Sequence, residues 1–333
     1  MDVLSDVMRA IRLTGAIYFD VSAREPWIAA TPEMSAICGE VMPDFEHVIA
    51  FHIMLEGWCW ARLVDGSGPV VRLEAGDAII FPGGDSHVMG TERDREAKPD
   101  FSLYYRPRDR PLPFVLKELG GDGEGARFVC GYLGCDAKPF NPILESLPKL
   151  MHIKRSDNES VLTLDLIRLA ISESASPKPG GETILSKLSE LIFLQAVRKY
   201  MDELPADSRG WVAGLRDRQI GEALLLMHSR PAEDWTLDAL AREVAMSRSA
   251  FADRFAQVMG APAMQYLSQW RLQLAARLLE RPNVSIAQAA ADVGYGSEAA
   301  FNRAFKKQVG VPPGQWRRTR APADAIQART VDR

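Results

Sequence analysis

Cysteine is scarce in this chain, with four residues in 333. So few over that length do not make a disulfide scaffold, which points to a reducing compartment. No apolar run is long enough to span a bilayer. The opening Met1-Asp2-Val3-Leu4-Ser5-Asp6 is acidic where a secretory leader would be basic. A soluble, cytoplasmic protein is the expectation, with no membrane among its partners. What is present fits that class: 47% of residues are apolar and 25% charged, and the length suggests two or three domains.

The net charge of -4 conceals an asymmetry. Residues 216–320 hold 15 Lys and Arg against 10 Asp and Glu, a net of +5, and the remainder carries -9. A basic module joined to an acidic one suits a chain of which one part meets phosphates.

The basic part contains one pattern written twice between Trp235 and Trp316. Phe251 and Phe301, Phe255 and Phe305, Gly260 and Gly310, and Pro262 and Pro312 all lie 50 residues apart. Val244 and Val293 lie 49 apart, so the second turn is one residue longer. Each copy reads as a short helix, a tight turn, a serine cap (Ser247, Ser297) and a second helix, that is, a helix-turn-helix. In the first copy Phe251, Phe255 and Val258 occupy one helical face and should point inward, leaving Ser249, Ala252, Asp253 and Ala256 outward with Arg248 and Arg254 at the flanks. In the second, Phe301, Phe305 and Val309 go inward and Ala299, Asn302, Arg303 and Lys306 outward. Asn and Arg have the bidentate geometry that adenine and guanine edges accept in the major groove, whereas Lys306, Lys307, Arg317 and Arg318 suit phosphates. The second copy is therefore the expected base reader and the first more of a clamp. A helix over Met264–Leu279, roughly 24 Å long at 1.5 Å per residue, would place the two reading helices about 34 Å apart, one turn of B-DNA. The bland alternative is a helical bundle whose serines only cap and whose arginines only solvate.

The N-terminal part reads as β structure. Val48–Met54 and Gly57–Val64 are strands, Asp65–Pro69 is a hairpin turn, Val70–Leu73 returns, and Ala78–Phe81 follows a turn at Glu74–Asp77. Short strands at this spacing indicate a sandwich or small barrel. Residues 90–126, charged and rich in Pro and Gly, read as an exposed, partly disordered excursion. Helices are expected at Pro142–Leu147, Val161–Ser172 and Thr183–Leu204, the last apolar nearly all round at Leu191–Leu194, so that it is covered either by its own barrel or by a second copy of the chain. The fold class is thus α+β: an N-terminal β-barrel with following helices (1–203), a linker (204–213), an all-α double helix-turn-helix domain (214–320) and a disordered tail (321–333).

Residues 214–320 closely resemble the DNA-binding domain of AraC-type transcriptional regulators. The resemblance rests on Ala241-x-x-Val244-x-Met246-Ser247-x-x-x-Phe251-x-x-x-Phe255, on Ala290-x-x-Val293-Gly294-Tyr295-x-Ser297-x-x-x-Phe301-x-x-x-Phe305-Lys306, and on Gly310-Val311-Pro312-Pro313-Gly314-Gln315-Trp316-Arg317. It implies base contacts from Ser249, Ala252 and Asp253 in the first copy and from Glu298, Ala299, Asn302 and Arg303 in the second. Ala252 and Asp253 depart from the polar or basic residues often found there. Gly76-x5-Pro82-x-Gly84-x2-His87 similarly resembles the second motif of cupin barrels. The first motif is incomplete: His52 stands in the matching strand without a second histidine two residues away.

Together these resemblances imply a promoter-binding regulator whose cupin-like domain senses a small-molecule effector, acting as a homodimer, with RNA polymerase as a further partner if it activates. A metal site wants three or four His or carboxylate ligands. His52 and His87, with His47 or Glu56, would make a reduced divalent-metal or effector site, and the opposing reading is that both histidines are satisfied core residues. Cys130 and Cys135, a C-x4-C spacing, read as inert buried thiols or, alternatively, as a redox-sensing pair. The competing function is a metal-dependent cupin enzyme with an accessory nucleic-acid-binding module.

Overall fold

In a computed structural model of the chain, residues 2–104, 112–155, 161–175, 178–205 and 207–320 are described. The expected tail at 321–333 lies outside them. The chain divides into two units. The β unit comprises Arg12–Asp136 and Leu147–Glu203, and the helical unit comprises Met1–Ile11, Ala137–Ser146 and Leu204–Arg333.

The β unit pairs two sheets. One has six strands in the order β10 (Met151–Ile153), β6 (Ala78–Phe81), β3 (His47–Glu56), β9 (Gly125–Cys135), β1 (Thr14–Arg24) and β8 (Phe114–Gly120). The other runs β2 (Ile28–Thr31), β7 (His87–Gly90), β4 (Trp58–Leu63) and β5 (Val71–Glu74). Alternation puts Ala50, His52 and Met54 of β3 and Cys59, Ala61 and Leu63 of β4 inside. Trp27 stacks on Phe128 at 5.0 Å within this core. The charged excursion at 90–126 proves to contain a strand: β8 pairs parallel with β1 at the sheet edge. Its reading as loop failed because an edge strand need bury little, and Val115 is 59% exposed. Residues 105–111 lie outside the described set. Two helices, α4 (Val161–Ala175) and α5 (Gly181–Glu203), complete the unit, with α5 burying Leu185, Leu188, Ile192, Phe193 and Val197.

In the helical unit the doubled pattern folds twice. α8 (Leu237–Glu243) and α9 (Arg248–Met259) form the first helix-turn-helix, α11 (Ile286–Asp292) and α12 (Glu298–Val309) the second, with α10 (Ala263–Leu279) between and α13 (Pro313–Arg320) after. The caps repeat more fully than expected. Thr236 and Ser285 cap the first helices, Ser247 and Ser297 the second, and Gly260 and Gly310 end the latter in left-handed conformation. Each turn is closed by one left-handed residue, Ala245 (φ 54°) or Gly294 (φ 83°), followed by an amide returning to the first helix: Met246 to Ala241 at 2.8 Å and Tyr295 to Ala290 at 2.9 Å.

The unit also takes in pieces assigned to the N-terminal domain on sequence. α1 (Val3–Ala10) and residues 137–146, which contain α3 (Pro142–Ser146), belong to it, as does α6 (Trp211–Arg216), which begins inside the expected linker; α7 (Arg218–Ser229) follows in the span expected to open the C-terminal domain. Apolar Val7, Ile11 and Ile143 are almost wholly buried, which no local pattern announces, because α1 packs on α7 and α10 and α3 on α6, all far along the chain.

The two turns make opposite demands. A Cβ on Gly294 would meet the Ala232 backbone at 2.7–3.0 Å, and left-handed geometry alone costs a non-glycine residue about 1–2 kcal/mol. Gly294→Ala is expected to destabilise by more than about 2 kcal/mol in urea unfolding, whereas Ala245→Gly leaves stability unchanged or raises it by up to about 1 kcal/mol.

Candidate nucleic-acid interface

The reading helices present their faces as the spacing requires. Phe251 and Phe255 of α9, and Phe301 and Phe305 of α12, are 0% exposed, and Val258 and Val309 are buried with them. On α9, Arg248, Ser249, Asp253 and Arg254 are exposed and Ala252 is partly exposed. On α12, Glu298, Ala299, Arg303, Lys306 and Lys307 are exposed and Asn302 is partly exposed.

Bonding distinguishes the copies further. Arg254 donates from Nε and Nη2 to Asp217 at 3.1 and 2.6 Å, and Asp217 also caps α7 through the amides of Gln219 and Ile220. Arg254, expected at the flank of the reading face, thus braces α7 while its side chain stays 47% exposed. Arg248 lies 3.7 Å from Asp238, both well exposed, which leaves it able to move. Arg317, read as a phosphate contact, instead donates to the Val284 carbonyl at 2.5 Å. Arg318 is exposed. α12 displays Arg303, Lys306 and Lys307, and α9 displays Arg248 and Arg254.

Between the motifs, α10 buries Tyr266, Leu267 and Trp270, then Leu272, Ala275, Ala276 and Leu279. The latter group packs with Phe301, Phe305 and Trp316. Tyr266 accepts from Trp211 Nε1 at 2.8 Å, and its hydroxyl lies 2.8 Å from His228 Nε2. His228 stacks on Trp270 at 4.0 Å, and burial pushes its pKa down to about 3. At seventeen residues, α10 is about 26 Å long.

The barrel interior brings together two of the residues singled out there. His52 of the six-stranded sheet and His87 of the four-stranded sheet meet with Nε2 atoms 2.7 Å apart. His87 Nδ1 lies 2.8 Å from the Asp85 carbonyl and must donate to it, so His87 Nε2 accepts from His52. His52 Nδ1 is then a buried acceptor without a partner among the described residues. Burial pushes both pKa values down, His87 to about 4, with the facing His87 adding to the effect at His52. Neutral rings suit metal ligation, but the rest of a ligand set is missing. Glu56 is exposed, since a bulge between Met54 and Glu56 breaks the alternation of β3. His47 bonds the Pro82 carbonyl at 2.7 Å. Among the described residues no group of three His, Cys, Asp or Glu is placed to hold a metal ion. Two donors already bonded to each other do not fit a divalent-metal site.

The cysteine pair has the geometry of buried thiols. Cys130 and Cys135 lie on one strand, where five residues span about 16 Å and place the side chains on opposite faces. A disulfide needs Cα atoms within about 7 Å. Burial, then Asp20 and Cys59, push the Cys130 thiol up, away from the reactive thiolate.

Comparison with known proteins now decides the family. A family model described as "Cupin" matches residues 2–202, and one described as "Helix-turn-helix domain" matches residues 240–319. The chain belongs to the AraC-type transcriptional regulators with an N-terminal cupin domain. An AraC-like transcription regulator of Streptomyces lividans is 28% identical over 96% of this chain and 98% of its own length. The regulator AlkR of Acinetobacter baylyi is 28% identical over 95% and 99%. The DNA-binding domain of AdpA, solved with a target DNA, is 29% identical over 30% of this chain and 89% of that one, with a TM-score of 0.29. These relatives are regulators, which favours a DNA-binding regulator over the enzyme reading. No helix among the described residues is long and apolar enough to cross a membrane.

Two outcomes follow from the histidines of this regulator. His87 and His228 are neutral when folded but titrate near 6.5 when unfolded, so the unfolded chain binds more protons between about pH 4 and 6.5 and stability falls on acidification. Each histidine contributes a loss of up to about 1.4 kcal/mol per pH unit below 6.5, and His228→Gln is expected to flatten the pH dependence of the unfolding midpoint. Elemental analysis of the purified protein should find no stoichiometric divalent metal, and 0.8 or more ions per chain would reinstate a metal site (a threshold of about one per site).

Proposed function

We propose that this AraC-type regulator reads promoter sequence mainly through Asn302 and Arg303 of α12. Lys306 stands beside them, Lys307 and Arg318 bind phosphate, and α9 clamps through Arg248 and Ser249. The observation that carries this reading is the display of Asn302, Arg303 and Lys306 above a wholly buried Phe301/Phe305 pair. Ala299 is small enough to let the backbone approach bases, and Glu298 stands at the helix N-terminus, where a carboxylate accepts from a cytosine amino group. Asp253 opposes phosphate and narrows the role of α9. The length of α10 supports both motifs entering successive major grooves from one monomer.

An effector in the cupin domain would act by binding two domain arrangements with different affinity. The barrel interior around His52 and His87 is its expected location, since His52 Nδ1 offers an acceptor there. Homodimerisation is supported by the outer face of α4 and α5, where Leu169, Ile184 and Leu191 are 56%, 46% and 44% exposed. Contact with RNA polymerase belongs to the activator form of this reading, and the cytoplasm is the compartment it requires.

Gel-shift titration on fragments selected from genomic DNA checks the assignment. Asn302→Ala and Arg303→Ala are each expected to lose about 1–3 kcal/mol of discrimination between selected and scrambled fragments. Lys307→Ala should weaken both fragments alike and reduce the salt slope by about one. Unchanged discrimination in the Asn302/Arg303 double variant would refute the assignment.

A further inference from the structure

Gln273 is a polar side chain in the middle of α10 and is 1% exposed. Its Nε2 donates to the carbonyl of Ala10 at 2.9 Å, and its Oε1 accepts from the amide of Phe140 at 3.0 Å. Those partners precede it by 263 and 133 residues. Neither is a chance contact of a loose segment. Ala10 ends α1, where carbonyls lack helical partners, and Phe140 is buried with its ring edge-on to Tyr266 at 5.5 Å. One residue earlier, the Pro139 carbonyl accepts from Gln308 Nε2 of α12 at 3.2 Å. Ser146 Oγ accepts from the Trp211 amide at 3.0 Å. An apolar side chain would pack an interior position without the desolvation a primary amide incurs, so the amide is explained by the two backbone groups it joins.

Both segments continue directly into the barrel strands. Ala137 follows Asp136 at the end of β9, and Arg12 precedes β1. Within the β unit Arg12 grips Asp136 from Nε and Nη2 at 2.7 and 2.5 Å. The two chain paths are therefore tied together at their barrel end by an ion pair and at their helical end by Gln273. In β9, Cys130 stands opposite His52, so the strand that leads to Phe140 also lines the interior where an effector would lie.

We propose that Gln273 is the latch of a mechanical link between the cupin domain and the DNA-binding motifs. It seats residues 2–11 and 137–146 on α10, the helix that sets the distance and angle between α9 and α12. Gln308 lies five residues from Arg303, which is 140° round the helix at 100° per residue, so the seated segment braces the back of α12 and leaves its reading face open. The latched state is the DNA-competent one, and a shift of β9 would relax it.

This inference rests on the reading that both motifs engage DNA, and its test separates the two. Full-length protein is titrated against DNA carrying both half-sites and against DNA carrying only the second motif's half-site. Wild type should gain from the added half-site. Gln273→Leu is expected to lose about tenfold on the two-site DNA and to keep its half-site affinity, with faster hydrogen exchange in residues 2–11 and 137–146. Gln308→Ala, a milder change at an exposed residue, should lose about two- to threefold in the same selective way, and it serves if Gln273→Leu does not fold. Equal loss on both DNAs, or none on the two-site DNA, overturns the latch. A wild type that gains nothing from the second half-site overturns the two-motif reading instead.

Discussion

One helix has to satisfy both halves of the DNA-binding module. α10 buries Tyr266, Leu267 and Trp270 in one stretch and Leu272, Ala275, Ala276 and Leu279 in the next. Burying such side chains is worth about 1.5–3 kcal/mol each for the larger ones, and close packing leaves the helix little freedom to shift. The geometry of the two reading helices is therefore inherited from α10 and not set by either motif alone. The same packing explains why His228 is held neutral against Trp270: any charge there would have to leave the core.

The two copies share caps, turns and Phe pairs but not chemistry. In the first, the arginine nearest the reading face is drawn to Asp217, and an acidic side chain occupies an outward position. In the second, Arg303 and Lys306 stand free of any ion pair among those found in the described residues. The scaffold is present twice, and the copies differ in a few outward residues. In the barrel, His52 and His87 occupy cupin positions, yet their Nε2 atoms bond each other across the two sheets.

Much of this was legible in the sequence because its causes are local. Serine caps, the 50-residue repeat, and Phe residues at i and i+4 each announce their role within a turn or two of helix. The incomplete cupin motif is plain in the sequence, but the His52–His87 bond joins strands 35 residues apart and has no local signature. Arg254 could not be told from Arg303 by sequence, since its partner Asp217 is 37 residues away. Strand β8 was hidden for the same reason: its partner β1 lies almost a hundred residues earlier. The largest difference, the inclusion of α1 and residues 137–146 in the helical unit, comes with two bonds from Gln273, a residue that looks in sequence like an ordinary polar position of an amphipathic helix.

Central to the proposed function is that one chain lays two unequal helix-turn-helix motifs on one face of DNA, with the second reading bases. Dimethyl sulfate and hydroxyl-radical protection on a selected fragment, compared for wild type and Arg303→Ala, tests this most directly. The expected result is guanine protection in two major grooves about one helical turn apart on the same face, with the protection assigned to the second motif lost in the variant and the first retained. Protection confined to a single groove, or an identical pattern in the variant, would contradict it.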